Sequence, residues 1–295
     1  MKKIKFYIPS FYEFENLNIN LINLMNEKPH YFYDNIEIGA VYGTYFGAIW
    51  NGGRVVTGSL PQNQDEWLSV KNNMSLYEER NIPIRFTWTN CLLNKTHLND
   101  KFCNLIMKMA DNNLNEVIVN SELLENYIRE KYPNYKVISS TTKCLTSLEA
   151  INNELDKNYF LTVLDYRLNK NEEILKQIEN KDKIELLINA YCPGTCKRRS
   201  EHYKKMSEAQ LKNEELSFEE FPCHILKDNF FDCLKNEMTI SVEELYNKYV
   251  QMGFSHFKIE GRTNHLADVL ESYLYYMVKP EYKDEVRLFL LKQIF

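Results

Sequence analysis

Two short stretches of the chain carry residue types that do chemistry. Asn189-Ala190-Tyr191-Cys192-Pro193-Gly194-Thr195-Cys196 sets two thiols at CxxxC spacing, and Lys258-Ile259-Glu260-Gly261-Arg262 sets three charges at alternate positions. Residues two apart on a strand point to the same face, so an extended 258–262 segment presents Lys258, Glu260 and Arg262 as one row. Glu260 can then act as an acid or base or hold Arg262 in place, and Arg262 can grip a carboxylate or phosphate bidentately. These three are the candidate catalytic residues. The competing reading of the same row is an internal ion network that satisfies itself, since charges persist in interiors when paired.

The chain has seven cysteines, an odd number that makes a poor disulfide framework, and a reducing compartment keeps such residues as thiols or metal ligands. Thiolates from a tight loop, joined by more distant cysteines, hold either tetrahedral zinc or an iron–sulfur cluster, and spacing does not separate the two. The expected ligand set is Cys91, Cys192, Cys196 and Cys223, with Cys233 as rival for the fourth place. Ordinary reduced thiols are the alternative, because Cys103 and Cys144 occupy plain helical or strand-flank settings. The CxxxCxxC pattern of radical enzymes fails at Arg199. His202 and His224 flank the cysteines.

Positioning these residues requires a scaffold, and the alternation of short β-branched or aromatic runs with longer helical-period segments supplies one. Strands are predicted at Ile4–Pro9, Ile36–Tyr42, Ile84–Asn90, Glu116–Ser121, Lys136–Ser140, Phe160–Tyr166, Ile184–Tyr191 and Phe257–Glu260. Helical segments lie between them. Eight such alternations, with no GxGxxG after the first strand, predict an α/β fold of the TIM-like (β/α)8 barrel type. Residues 1–295 are expected to form a single barrel domain. An insertion at about 193–239, between strands 7 and 8, is too long for an ordinary βα loop.

Strand parity then sorts the faces. Ile84, Phe86 and Trp88 suit the helix layer, which leaves Arg85, Thr87, Thr89 and Cys91 pointing inward with Cys91 near the mouth. Phe257 and Ile259 likewise suit the helix layer, so Lys258, Glu260 and Arg262 project into the barrel or its rim. Active sites of such barrels lie at the C-terminal ends of the strands. Arg54, Asn90, Asp165, Arg167, Asn189 and His202 are expected there as substrate-binding residues. Arginines near strand ends predict a small anionic metabolite or a nucleoside as ligand.

A formal net charge of −5 predicts no extended nucleic-acid surface, because phosphate contacts need clustered Lys and Arg. Lys197-Arg198-Arg199 with Lys204-Lys205 is short, is interrupted by Glu201, and reads as a solvated helix start. No stretch approaches the roughly 20 apolar residues that span a bilayer, so no membrane association is expected and the cytoplasm is the predicted compartment.

Three segments together resemble the collagenase-like peptidase superfamily, the thirty-second unknown-type peptidase family, which also contains oxygen-independent hydroxylases. They are Ala40-Val41-Tyr42-Gly43 with Trp50-Asn51-Gly52-Gly53-Arg54, then Leu187 through Cys196 to Arg199 and His202-Tyr203, and finally Gly253 through Arg262. The resemblance implies a TIM-like barrel. In hydroxylase members it also implies a four-iron (4Fe-4S) cluster held by four cysteines, acting on tRNA, rRNA or ubiquinone precursors with prephenate as proposed oxygen donor. The leading expectation is therefore an iron–sulfur-dependent enzyme related to those hydroxylases. A metal-free or zinc hydrolase of peptidase type is the second reading. The third is a non-catalytic subunit working with a protein partner or as a homodimer.

Overall fold

The computed structural model describes residues 3–216, 229–262 and 264–294. Eight parallel strands close into a barrel in sequence order. They are β1 (Ile4–Pro9), β2 (Ile36–Gly43), β3 (Ile84–Trp88), β4 (Glu116–Val119), β5 (Lys136–Ser139), β6 (Leu161–Val163), β7 (Ile184–Leu187) and β8 (His256–Lys258). β8 closes the ring by pairing with β7 through Leu187↔Lys258 and with β1 through Tyr7↔Lys258. The fold is the predicted TIM-like α/β barrel.

Helices return the chain between strands: α1 (Glu15–Glu27), α2 (Gln64–Glu78), α3 (Lys101–Met109), α4 (Glu122–Lys131), α5 (Leu148–Leu155) and α6 (Glu172–Gln177). Most begin at a side-chain cap that satisfies an otherwise orphaned amide: Asn63 accepts from Glu66, Asp100 from Cys103, Ser121 from Leu124 and Ser147 from Ala150. Between β7 and β8 lie α7 (Arg199–Lys212), α8 (Phe230–Cys233) and the short α9 (Val242–Glu244), whose Ser241 and Glu244 form a capping box. A π-helical turn at Leu245–Tyr249 follows. α10 (Leu266–Met277) and α11 (Lys283–Ile294) complete the chain. No helix among the described residues is long and apolar enough to cross a membrane.

The strands sort as their parity requires. Ile84, Phe86, Trp88, Phe257 and Ile259 belong to the main core between barrel and helices. Phe86 stacks on Trp88 with ring centroids 5.2 Å apart, and Trp50 meets Trp88 edge-on at 5.9 Å. The barrel interior holds a smaller cluster that includes Tyr7, Ala40, Tyr42, Ile118 and Ile138. Beside it Arg85, fully buried, donates to Glu116 at 2.6 Å and to Glu185, and it covers the Tyr7 ring at 3.8 Å. Pairing and hydrogen bonding of this kind are the condition under which buried charge is tolerated.

Candidate active site at the C-terminal mouth

Two features of the chain build the mouth. The loop after β2 passes over the end of β3 so closely that a side chain at Gly52 would place its Cβ 2.5 Å from the backbone of Thr89. Gly53 follows at φ +73°, in the left-handed region that favours glycine. The second feature is α7, which crosses back over the opening and is clamped to that loop by Gln210. The fully buried Gln210 amide donates to Ala48 O (3.1 Å) and Val56 O (3.0 Å), and its oxygen accepts from Val56 N (2.7 Å) and Asn51 Nδ2 (3.0 Å).

Under this roof lies a cavity of about 510 Å³. Its lining takes Arg54 and Gly53 from the β2 loop, Arg199, His202 and Tyr203 from α7, Tyr166 and Cys192 from the loops after β6 and β7, and Lys258, Glu260 and Arg262 from the end of β8. Another cavity, about 530 Å³, opens at the opposite end of the barrel beside Lys5, Tyr7, Glu37 and Lys136. The first has the position at which barrels of this type carry out catalysis.

Glu260 is held on all sides. Asn189, fully buried, donates to the Glu260 carbonyl at 2.9 Å and accepts from the Glu260 N–H at 2.6 Å. One carboxylate oxygen receives Arg54 Nη2, and the other accepts from Tyr191 N at 3.3 Å. Arg262 donates to Thr87 Oγ1 (2.7 Å), Asn51 Oδ1 (2.9 Å) and Gly52 O (2.9 Å). Burial lowers its guanidinium to about 10, with Tyr42 and Glu260 opposing and Arg54 reinforcing the shift. Gly261 fits between them because a Cβ there would lie 2.9 Å from both Pro9 and Val269.

Lys258 is nine-tenths buried over the Tyr42 ring, 4.0 Å from its centroid, and 3.8 Å from Glu185 Oε1. Burial drives its amine down to about 7; Glu185 opposes that shift, and Arg85 and Arg262 add to it. His202 is lowered to about 4 by burial, reinforced by Arg54 and Arg198, and so is neutral at physiological pH.

The remaining sequence candidates occupy supporting positions. Asp165, buried, receives Arg167 through Nε (2.9 Å) and Nη2 (2.8 Å) and pairs with Arg199 Nη1 at 2.5 Å. Neither Asp165 nor Arg167 lines the cavity. Asn90 is buried outside it as well, its amide donating at 3.0 Å to both Ile49 O and Ser207 O, which ties β3 to the loop and to α7. Residues singled out less strongly by the sequence contribute more: Arg199 donates to Tyr203 Oη at 2.9 Å and to Thr141 Oγ1 at 3.1 Å and lies 4.2 Å from the Tyr166 ring centroid. Thr89 Oγ1 is buried at the cavity wall with no hydrogen-bond partner among the described residues.

Of the expected thiol set, Cys91, Cys192 and Cys196 fall among the described residues. β3 ends at Trp88, so Cys91 no longer follows strand parity; its thiol turns to Ser207 Oγ (3.4 Å) and Tyr203 O (3.9 Å) on α7. Cys192 lines the cavity beside Tyr166 and Cys196, and burial pushes its thiol up to about 11 against a hydrogen bond from Tyr166. Cys144, set aside in the sequence, is close enough to feel both Arg199 and Cys196. The rival Cys233 is buried and donates to Asn189 O at 3.2 Å. Among the described residues no three His, Cys, Asp or Glu side chains are grouped to hold a metal ion. Cys223 and His224 lie outside the described residues.

Fold and site thus define a (β/α)8 barrel protein with a cationic, tyrosine-walled cavity at its catalytic end. A solved structure entitled "The Structure of the U32 Peptidase Mk0906" is similar to this chain at TM-score 0.51 and 14% identity, covering 88% of this chain and 92% of that one. At that identity the likeness is one of fold. The chain matches no protein-family model, and no curated protein matches it.

Proposed function

We propose that the protein is an enzyme that binds a small anionic metabolite in the mouth cavity, with Glu260 as its proton acceptor. The observation that carries this reading is the convergence of Arg54, Arg199 and Arg262 with Lys258 on one cavity that, among the described residues, holds Glu215 and Glu260 as its only acids. Roofing by α7 limits solvent there, and guanidinium–anion attraction strengthens as water is excluded. The buried Thr89 hydroxyl supplies a further polar contact for a ligand oxygen. A thermal-shift panel of carboxylated and phosphorylated metabolites against neutral analogues tests it: anions raise the melting temperature selectively, and equal or absent shifts overturn the reading.

A second reading keeps an iron–sulfur cluster, or zinc, at Cys192 and Cys196, as in the oxygen-independent hydroxylases that the sequence resembles. What favours it is that Cys192 and Cys196 are near enough to influence each other electrostatically beside the cavity, with Cys144 near enough to feel Cys196. The described donor set does not by itself fit a four-thiolate site. Cys192 stands as a protonated thiol that a metal would have to deprotonate. Iron, sulfide and zinc analysis of anaerobically prepared protein decides it: stoichiometric metal lost in Cys192→Ser and Cys196→Ser supports the site, and metal-free protein excludes it.

A further inference from the structure

Lys258 lines the cavity with only a loose ion pair among the described residues. Below it Arg85 hydrogen-bonds both Glu116 and Glu185, one guanidinium between two carboxylates, and above it Arg54 pairs with Glu260. The nearest acid to its amine, Glu185 Oε1, is 3.8 Å away, beyond hydrogen-bond length, and that oxygen accepts no hydrogen bond. The pair stands apart rather than closing into a hydrogen bond. Instead Nζ lies above the face of Tyr42, whose hydroxyl is fixed on Ile259 O at 2.6 Å, with the cavity in front of it.

We propose that Lys258 Nζ is a carbonyl-reactive amine that forms an imine with a small oxo acid, the carboxylate of which is held by the cavity arginines. Arg54 suits that task, because two of its five N–H donors go to Gly53 O and Glu260, leaving others for a ligand. In the step, the lone pair of the neutral amine attacks the carbonyl carbon. The carbinolamine loses the former carbonyl oxygen as water, and a protonated C=N bond remains. Overall, one ammonium and one carbonyl give one iminium and one water. The electron-rich face of Tyr42 lies where it would stabilise the cationic product, as aromatic faces do for bound cations. The depressed basicity of this amine, driven by burial, supports the assignment by favouring the unprotonated nucleophile at neutral pH.

This inference deepens the anion-site reading and rests on it, so the test separates the two. The full chain is incubated at pH 7 with pyruvate or 2-oxoglutarate, reduced with cyanoborohydride, and digested for mass mapping, while thermal shift on the same samples reports binding. The expected result is a reduced adduct on Lys258 at least about tenfold above the surface lysines, absent from Lys258→Met and from Lys258→Arg. Wild-type mapping decides even if a variant folds poorly. Selective stabilisation by anions with no adduct on Lys258, or with labelling no greater than at surface lysines, overturns the imine and leaves the anion site standing. No anion binding of any kind overturns both.

Discussion

Asn189 and Glu260 are joined by a reciprocal hydrogen bond in which one buried carboxamide satisfies both backbone groups of the glutamate, at 2.9 and 2.6 Å. The end of β7 thereby fixes the residue that follows β8, and the Glu260 side chain enters the cavity from a rigid backbone. Asn189→Ala leaves a buried N–H and C=O unpaired. We expect a loss of about 2–4 kcal/mol in urea unfolding, together with weakened ligand binding. A loss under 1 kcal/mol would remove this role.

The charge layer beneath the cavity predicts a larger effect. Arg85→Met strands Glu116 and Glu185, which share its guanidinium in the barrel interior. Removing one partner of a buried ion group typically costs about 3–5 kcal/mol, so chemical denaturation should show a loss of that size. Adding Glu185→Gln to Arg85→Met should recover part of it.

The glycine at position 52 is a packing requirement. Gly52→Ala drives a methyl group against the Thr89 carbonyl, and relief comes by shifting the loop that carries Asn51 and Arg54. A loss of about 1–3 kcal/mol should accompany reduced anion binding. Unchanged stability and binding would show that the loop yields freely.

His202 gives the pH dependence. Its folded value of about 4 lies below the ordinary 6.5, so the unfolded chain binds more protons between those limits. Its contribution is complete above pH 6.5, is lost as pH falls toward 4, and changes little below that. Wild type should therefore lose stability relative to His202→Gln across that window, on the order of 1–2 kcal/mol after allowing for solvent screening at a half-buried site. A flat difference curve would contradict the assignment.

Much of this architecture was legible in the residues themselves. The eight strands announce themselves through β-branched and aromatic runs, and the parity of β3 and β8 places Arg85 and Lys258 inward because alternation leaves no other choice. Where strands end, parity stops informing. Cys91 lies three residues beyond β3 and turns to α7, and Asn90 becomes a tie between loop and helix rather than a ligand contact. Arg199, Tyr203 and Tyr166 reach the cavity through the path of α7 and the loops, which no local periodicity records. Glu116 and Glu185 sit on strands β4 and β7, where inward parity marks them as acids opposite Arg85.

The central claim is that the cavity binds an anion through its arginines, and direct calorimetric titration tests it most plainly. Carboxylated or phosphorylated metabolites should bind wild type in preference to neutral analogues, and Arg54→Met should weaken that binding about ten- to a hundredfold, the worth of one charge-assisted contact. Binding that is indifferent to ligand charge, or unaltered in Arg54→Met, would contradict the account.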